Sequence, residues 1–112
     1  MYEYRVSIDR VVDGDTVDCW IDLGYNLQIH KRIRFAGVNA PETRTRNKEE
    51  KKRGLAAKKW LIDRLEDQDV EMKSYGSGKY GRILGELYID DVNINADMVE
   101  KGHAVKYDGG KR

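Results

Sequence analysis

The order of elements legible in the sequence is three strands, a helix, two further strands and a second helix. It predicts an α+β domain, mostly β: a small antiparallel barrel, closed or partly open, capped by helices. Three observations carry this. Apolar and polar residues alternate with the period of half-buried strands in the N-terminal third; apolar residues recur at helical spacing through residues 47–66; and glycine-containing turn signals separate the segments. With 112 residues and 39% hydrophobic content, the chain fits one domain spanning residues 1–112, with one modest core.

Tyr4, Val6 and Ile8 alternate with Arg5, Ser7 and Asp9, and Val17, Cys19, Ile21 and Leu23 alternate with Thr16, Asp18, Trp20 and Asp22. These two strands meet at Asp13-Gly14, a dipeptide that favours the tight turn of a hairpin. After Gly24-Tyr25-Asn26 a third strand covers about residues 28–38, with Ile33 and Phe35 on one face and Arg32 and Arg34 on the other, and it ends before the only proline, Pro41. Asn47 followed by Glu50 resembles a capping box, and Leu55, Ala57, Leu61, Ile62 and Leu65 then follow at helical spacing, so a helix is expected over about residues 47–66. Residues 69–75 and 82–89 read as two more strands joined through Gly76-Ser77-Gly78 and a short polar stretch. A short helix over 95–101 closes on Gly102, and residues 108–112 are expected to fray. The barrel of this element order is the OB-type Greek key, with five strands and two helices.

The N-terminus alternates in polarity and lacks the apolar stretch of a signal peptide, and nowhere do 18 apolar residues run together. The sequence as given therefore predicts a soluble protein with no membrane association, cytoplasmic unless a leader has been removed for secretion, and a monomer. A single cysteine, Cys19, cannot form an internal disulfide, as is usual in a reducing compartment. There are 21 basic and 20 acidic residues, a net charge of +1, which lacks the global excess of tight nucleic-acid binders. The distribution is uneven: Arg44, Arg46, Lys48, Lys51, Lys52, Arg53, Lys58 and Lys59 face only Glu49 and Glu50 in their stretch, and a second basic group runs over residues 30–34. Such clustering attracts a polyanion locally, and it equally describes a solvated helix face with a polar loop.

Three short stretches could carry chemistry. Asp13-Gly14-Asp15 reads either as a tight turn or as a pair of cation ligands. A calcium-binding EF-hand loop is excluded, since glycine is required at its sixth position and Asp18 stands there when the count starts at Asp13. Asp15 shares the register of Val17 and Cys19, so its carboxylate is expected at the barrel mouth or paired. In the stretch IRFAGVNAPET, Pro41 restricts Ala40 and its own φ, stiffening the backbone just before Glu42; that glutamate is either solvent-facing or a rigidly placed general base. In KYGRILGELYI, Arg82 follows Gly81 and is either a surface residue or an anion contact. Together the acidic oxygens, Glu42, Arg34 and Arg82 are the set that phosphodiester hydrolysis requires. A hard cation and guanidinium forks stabilise charge on the phosphoryl oxygens while a base orients water. Trp60 reads as helix packing, Trp20 as an exposed aromatic, His30 and His103 as surface residues, and Cys19 as core.

DGDTV, IRFAGVNAPE and KYGRILG, in that order and with a helix between the last two, resemble the thermonuclease, or staphylococcal nuclease, family over nearly the whole chain. The resemblance implies an OB-fold barrel that uses Ca²⁺ to cleave DNA and RNA with little sequence specificity, leaving 3′-phosphate ends. It implies Asp15 as a metal-ligand aspartate, Asp13 as a nearby acid tuning the metal site, Glu42 as general base, and Arg34 and Arg82 as phosphate-binding arginines. Lys79 and Tyr80 correspond to residues near the nucleotide phosphate, and Tyr107 to a base-stacking tyrosine. Two departures stand out. Asn39 and Ala40 replace a ligand aspartate and a threonine that binds through its carbonyl; Ala40 keeps that carbonyl, whereas Asn39 offers a neutral oxygen and removes one negative charge. The chain also stops soon after Tyr107, short of the terminal helix of the longest members. The resemblance thus implies a nuclease acting on DNA or RNA, with single-stranded or frayed strands preferred, and its rival is a silent OB module that only holds nucleic acid.

Overall fold

The structure, a computed structural model, describes residues 2–77 and 81–107; Lys79, Tyr80 and residues 108–112, where fraying is expected, lie outside the described residues. In chain order the elements are β1 (Tyr2–Asp13), β2 (Thr16–Gly24), β3 (Leu27–Phe35), β4 (Val38–Asn39), α1 (Lys48–Leu65), β5 (Val70–Ser77), β6 (Ile83–Ile89), β7 (Val92–Asn93), α2 (Ile94–Glu100) and β8 (Val105–Lys106). The five long strands lie in the order β3-β2-β1-β5-β6, and β6 returns to pair with β3, closing the barrel. This is the five-stranded OB-type barrel with two helices.

One expectation is corrected: the barrel is not antiparallel throughout. β6 runs parallel to β3 through Ile33–Ile83, Arg34–Leu84 and Phe35–Gly85. The reason is parity, since a closed ring of five strands cannot alternate direction at every contact. The third strand is also shorter than expected. It stops at Phe35 because Gly37 adopts a positive φ of 76°, a conformation that costs glycine little. Val38 and Asn39 then form a separate two-stranded ribbon with Val105 and Lys106.

The alternation in β1 and β2 sends Val6, Val17, Cys19 and Ile21 inward, where they meet Ile33, Phe35, Met72 and Leu87. Full burial of such side chains contributes about 1.5–3 kcal/mol each. Cys19 is one of these core hydrophobes, and burial pushes its thiol up to about 12. Helix α1 is capped as the sequence predicts on its first half: the Asn47 carboxamide oxygen accepts from the Glu50 N–H at 3.1 Å. The reciprocal half is replaced, because the Asn47 N–H donates to Thr45 Oγ1. The helix seats itself on the barrel through Gly54, Ala57, Leu61 and Leu65, while Leu55 and Ile62, expected on that face, are exposed. Trp60 packs partly buried against the core, and Trp20 stands exposed on the outer face beside His30.

Candidate functional site

One end of the barrel gathers the β1–β2 turn, the end of β3, the ribbon strand β4 and the loop after it. The Asp15 carboxylate is buried there and fully engaged: one oxygen accepts from Thr16 Oγ1 at 3.0 Å, the other from the Ala40 backbone N–H at 2.9 Å, with Arg34 Nη2 at 3.5 Å. The sequence left this carboxylate either at the mouth or paired; it is paired, and its partner is the residue before Pro41.

Arg34 leaves β3 and folds over the loop that follows it. Its Nη1 donates to the carbonyls of Phe35 and Val38, each at 2.9 Å, and its Nη2 donates to Asn39 Oδ1 at 3.1 Å. The guanidinium is therefore held in one orientation, with both Nη1 hydrogens and one on Nη2 committed to the loop, which leaves Nε–H and the other Nη2–H for an anion. Asp15, Arg34, Asn39 and Ala40, singled out separately in the sequence, form one hydrogen-bonded cluster.

The remaining candidates surround it. Asp13 accepts from Thr43 Oγ1, tying the hairpin turn to the loop that carries Glu42. Glu42 is exposed beyond Pro41, and its carboxylate has no hydrogen bond or ion pair among the described residues. Arg82 is half-buried immediately before β6, whose first residue pairs with Ile33, so it enters beside the strand end that bears Arg34. The Tyr107 N–H donates to the Gly37 carbonyl at 2.8 Å, bringing the C-terminal strand against the same loop. Lys79 and Tyr80 are outside the described residues.

Three positioning residues were not legible in the sequence. Gly14 allows the β1–β2 turn to approach α1 and the site loop: a Cβ there would lie 2.9 Å from the Ala57 Cβ and 3.0 Å from the Ala40 Cβ. One helical turn away, a Cβ on Gly54 would lie 2.5 Å from the Glu42 carbonyl oxygen and 2.9 Å from that of Pro41. The glycines thus let both site loops rest directly on α1. Asn95, 2% exposed in α2, donates to the carbonyls of Ala36 (2.9 Å) and Gly85 (3.1 Å) and accepts from the Leu87 N–H, pinning the turn between β3 and β4. Small residues one turn apart on α1 were the only available signal, and a helix interior hides it.

The donor chemistry fits a hard, oxygen-preferring cation. Asp15 offers carboxylate oxygens and Asn39 a carboxamide oxygen, all of them accepting hydrogen bonds within the protein, and the described residues hold no group of three or more His, Cys, Asp or Glu that could hold a metal ion. A concavity of about 930 Å³ elsewhere contains none of the predicted site residues and is lined by Asp9, Asp22, Glu66, Asp67, Asp69 and further acids, a potential that repels polyanions.

The sequence that folds into this barrel matches a family of nucleases. The family model described as staphylococcal nuclease homologue matches residues 32–111. The chain is 33% identical to Endonuclease YhcR of Bacillus subtilis (strain 168), covering 94% of this chain and 9% of that protein. It is 32% identical to Micrococcal nuclease of Shigella flexneri over 94% of this chain and 59% of that protein. The chain belongs to the staphylococcal nuclease family. It spans less than two thirds of the length of these relatives.

Proposed function

We propose that the chain is a Ca²⁺-dependent endonuclease that hydrolyses phosphodiester bonds of DNA or RNA with little sequence specificity and leaves 3′-phosphate ends. The observation that carries this reading is the pre-oriented Arg34 guanidinium held against Asp15 and Asn39 at the foot of the loop bearing Glu42. Asp15, the Asn39 carboxamide and the Ala40 carbonyl would hold the cation, and Asp13 tunes the charge around them. Bound there, Ca²⁺ supplies neutralisation of the phosphate's charge as it develops toward the transition state.

The chain's own residues do the rest. Glu42, without a hydrogen bond or ion pair among the described residues, accepts a proton from the attacking water, for which its exposure gives access. Arg34 and Arg82 donate to the non-bridging oxygens, where negative charge accumulates. By the family resemblance Lys79, Tyr80 and Tyr107 take part in nucleic-acid binding, and splayed single strands are favoured over stacked duplex. The test is release of acid-soluble nucleotides from denatured DNA, with Ca²⁺ and with chelator, alongside Glu42→Gln. Release that requires Ca²⁺ and falls at least a hundredfold in the variant is expected. Nucleic-acid binding with no release under any condition would establish the silent binding module favoured by the charge missing at Asn39.

A further inference from the structure

Beside Glu42, and continuous with the Asp15–Arg34 cluster through Asn39 and Ala40, a groove of about 490 Å³ runs between the loop 39–42, the first turns of α1 and residues 102–105. Pro41 and the exposed Val105 give it an apolar side, whereas Arg53, His103 and Glu50 give it a polar one. The Arg53 side chain is exposed and has no hydrogen bond or ion pair among the described residues. His103 is steadied by the Trp60 ring, with centroids 5.5 Å apart. Arg53 also directly precedes Gly54, the residue whose missing side chain lets α1 touch the Glu42 carbonyl. Its position relative to Glu42 is therefore set by a backbone-to-backbone contact and not by a flexible loop. The approach is basic, since Arg44, Arg46 and Lys48 are all exposed between Glu42 and the helix.

We infer that this groove is a subsite for the polynucleotide flanking the cleaved bond, with a neighbouring phosphate on Arg53 and a nucleoside against Pro41 and Val105. The inference rests on the nuclease reading of Glu42, and beyond Arg34 and Arg82 it adds a third arginine contact to the polyanion that neither the motifs nor the relatives assign. The size suits it, because ligand sites fall at about 300–1,000 Å³. A guanidinium without a partner among the described residues gives a phosphate a charge-assisted hydrogen bond without breaking any existing bond to them. Glu50 on the same wall opposes the anion, which makes the groove's signature two-signed.

The experiment measures binding of a fluorescently labelled single-stranded oligonucleotide in chelator, where no Ca²⁺-dependent cleavage intervenes, over a series of salt concentrations. Arg53→Ala should weaken binding about fivefold and reduce the salt slope by about one, as loss of one phosphate contact does. Glu50→Gln should tighten binding about twofold. Lys59→Ala, an equally exposed cation on the helix, is the comparison. If Arg53→Ala binds like the parent, or loses no more than Lys59→Ala, the groove is not a subsite and the charge acts only diffusely. Hydrolysis by the parent is scored separately. Arg53-dependent binding without hydrolysis would keep the subsite and sink the nuclease reading, and hydrolysis with Arg53-independent binding would do the reverse. Alanine is a strong helix former, so the Arg53 variant is expected to fold.

Discussion

Two carboxylate–guanidinium pairs lie close together on β3, Arg32 with Asp18 of β2 and Arg34 with Asp15 of the β1–β2 turn, and they are built for different tasks. Asp18 and Arg32 meet as a fork, Nε to Oδ1 at 2.8 Å and Nη2 to Oδ2 at 3.1 Å, with Arg10 flanking at 3.6 Å. The hydrogen bonds from Arg32 hold the Asp18 carboxyl below its ordinary value, and Asp18 in turn raises Arg32. That pair satisfies itself. Asp15 and Arg34 are only 3.5 Å apart, and each directs its better hydrogen bonds to the site loop: Asp15 to the Ala40 N–H, Arg34 to the Phe35 and Val38 carbonyls and to Asn39. The difference teaches that residue type and strand position do not decide what an ion pair is for. The geometry of the remaining donors does: a closed fork stabilises, while a spread guanidinium shapes a loop around a potential anion site.

The largest expected effect comes from removing the spread guanidinium. Arg34→Ala should lower hydrolysis at least a hundredfold, about 3 kcal/mol of transition-state stabilisation, whereas Arg32→Ala should leave the rate within about twofold. Parallel rates with circular dichroism on both variants check the contrast, and equal losses would abolish it.

Gly54→Ala tests whether the site depends on backbone packing that the Asp18–Arg32 pair does not feel. The new Cβ must displace the Glu42 carbonyl, and misplacement of a reacting group by about 1 Å can cost a hundredfold. A tenfold to hundredfold loss of rate is expected. The stability change should be small, since overpacking of about 1–3 kcal/mol is partly offset by the gain of about 1 kcal/mol in helix propensity. Turnover measured beside denaturant melts separates the two.

Asn39→Asp would make the site's charge pattern more like that of the outer pair, adding a carboxylate where Asn39 now accepts from Arg34 at 3.1 Å. A charge a few ångströms from a divalent cation, less its desolvation, should tighten Ca²⁺ binding about tenfold. Calorimetric titration of parent and variant decides; identical affinities remove Asn39 from the ligand set.

The smallest effect concerns the fork itself. Asp18→Asn should cost about 1 kcal/mol near neutral pH, because Arg32 is close to half exposed and solvent screens the pair. Since folding depresses the Asp18 pKa, this stabilisation is present above its ordinary value of 3.8 and is lost as the pH falls through its lower folded value. Denaturant midpoints of the two proteins should therefore converge as the pH is taken below 3.8. A gap that persists there would assign the effect to packing.

By itself the sequence determined the elements and the chemistry on offer. Period-two alternation identified Val6, Val17, Cys19 and Ile21 as inward-facing, although Leu23 of the same row is exposed and Thr16 and Asp18 of the opposite row are buried; Asn47 set the start of α1, and the three motifs in order placed the chain in its nuclease family, because these signals are local or ordered along the chain. Alternation alone left Arg32 and Arg34, two residues apart with the same parity, indistinguishable, and it was the stretch IRFAGVNAPE that singled out Arg34. Only the tertiary structure showed how their contacts differ, since Arg32 meets Asp18 of β2 whereas Arg34 meets Asp15 of the β1–β2 turn and the segment beyond Gly37. It also decided the parallel closure of β3 on β6, the breaking of β3 at Phe35, and the burial of Gly14, Gly54 and Asn95 against the site loops. Each of these is a contact between segments distant in the chain, so its energy depends on where the barrel closes and leaves no periodicity for the sequence to display.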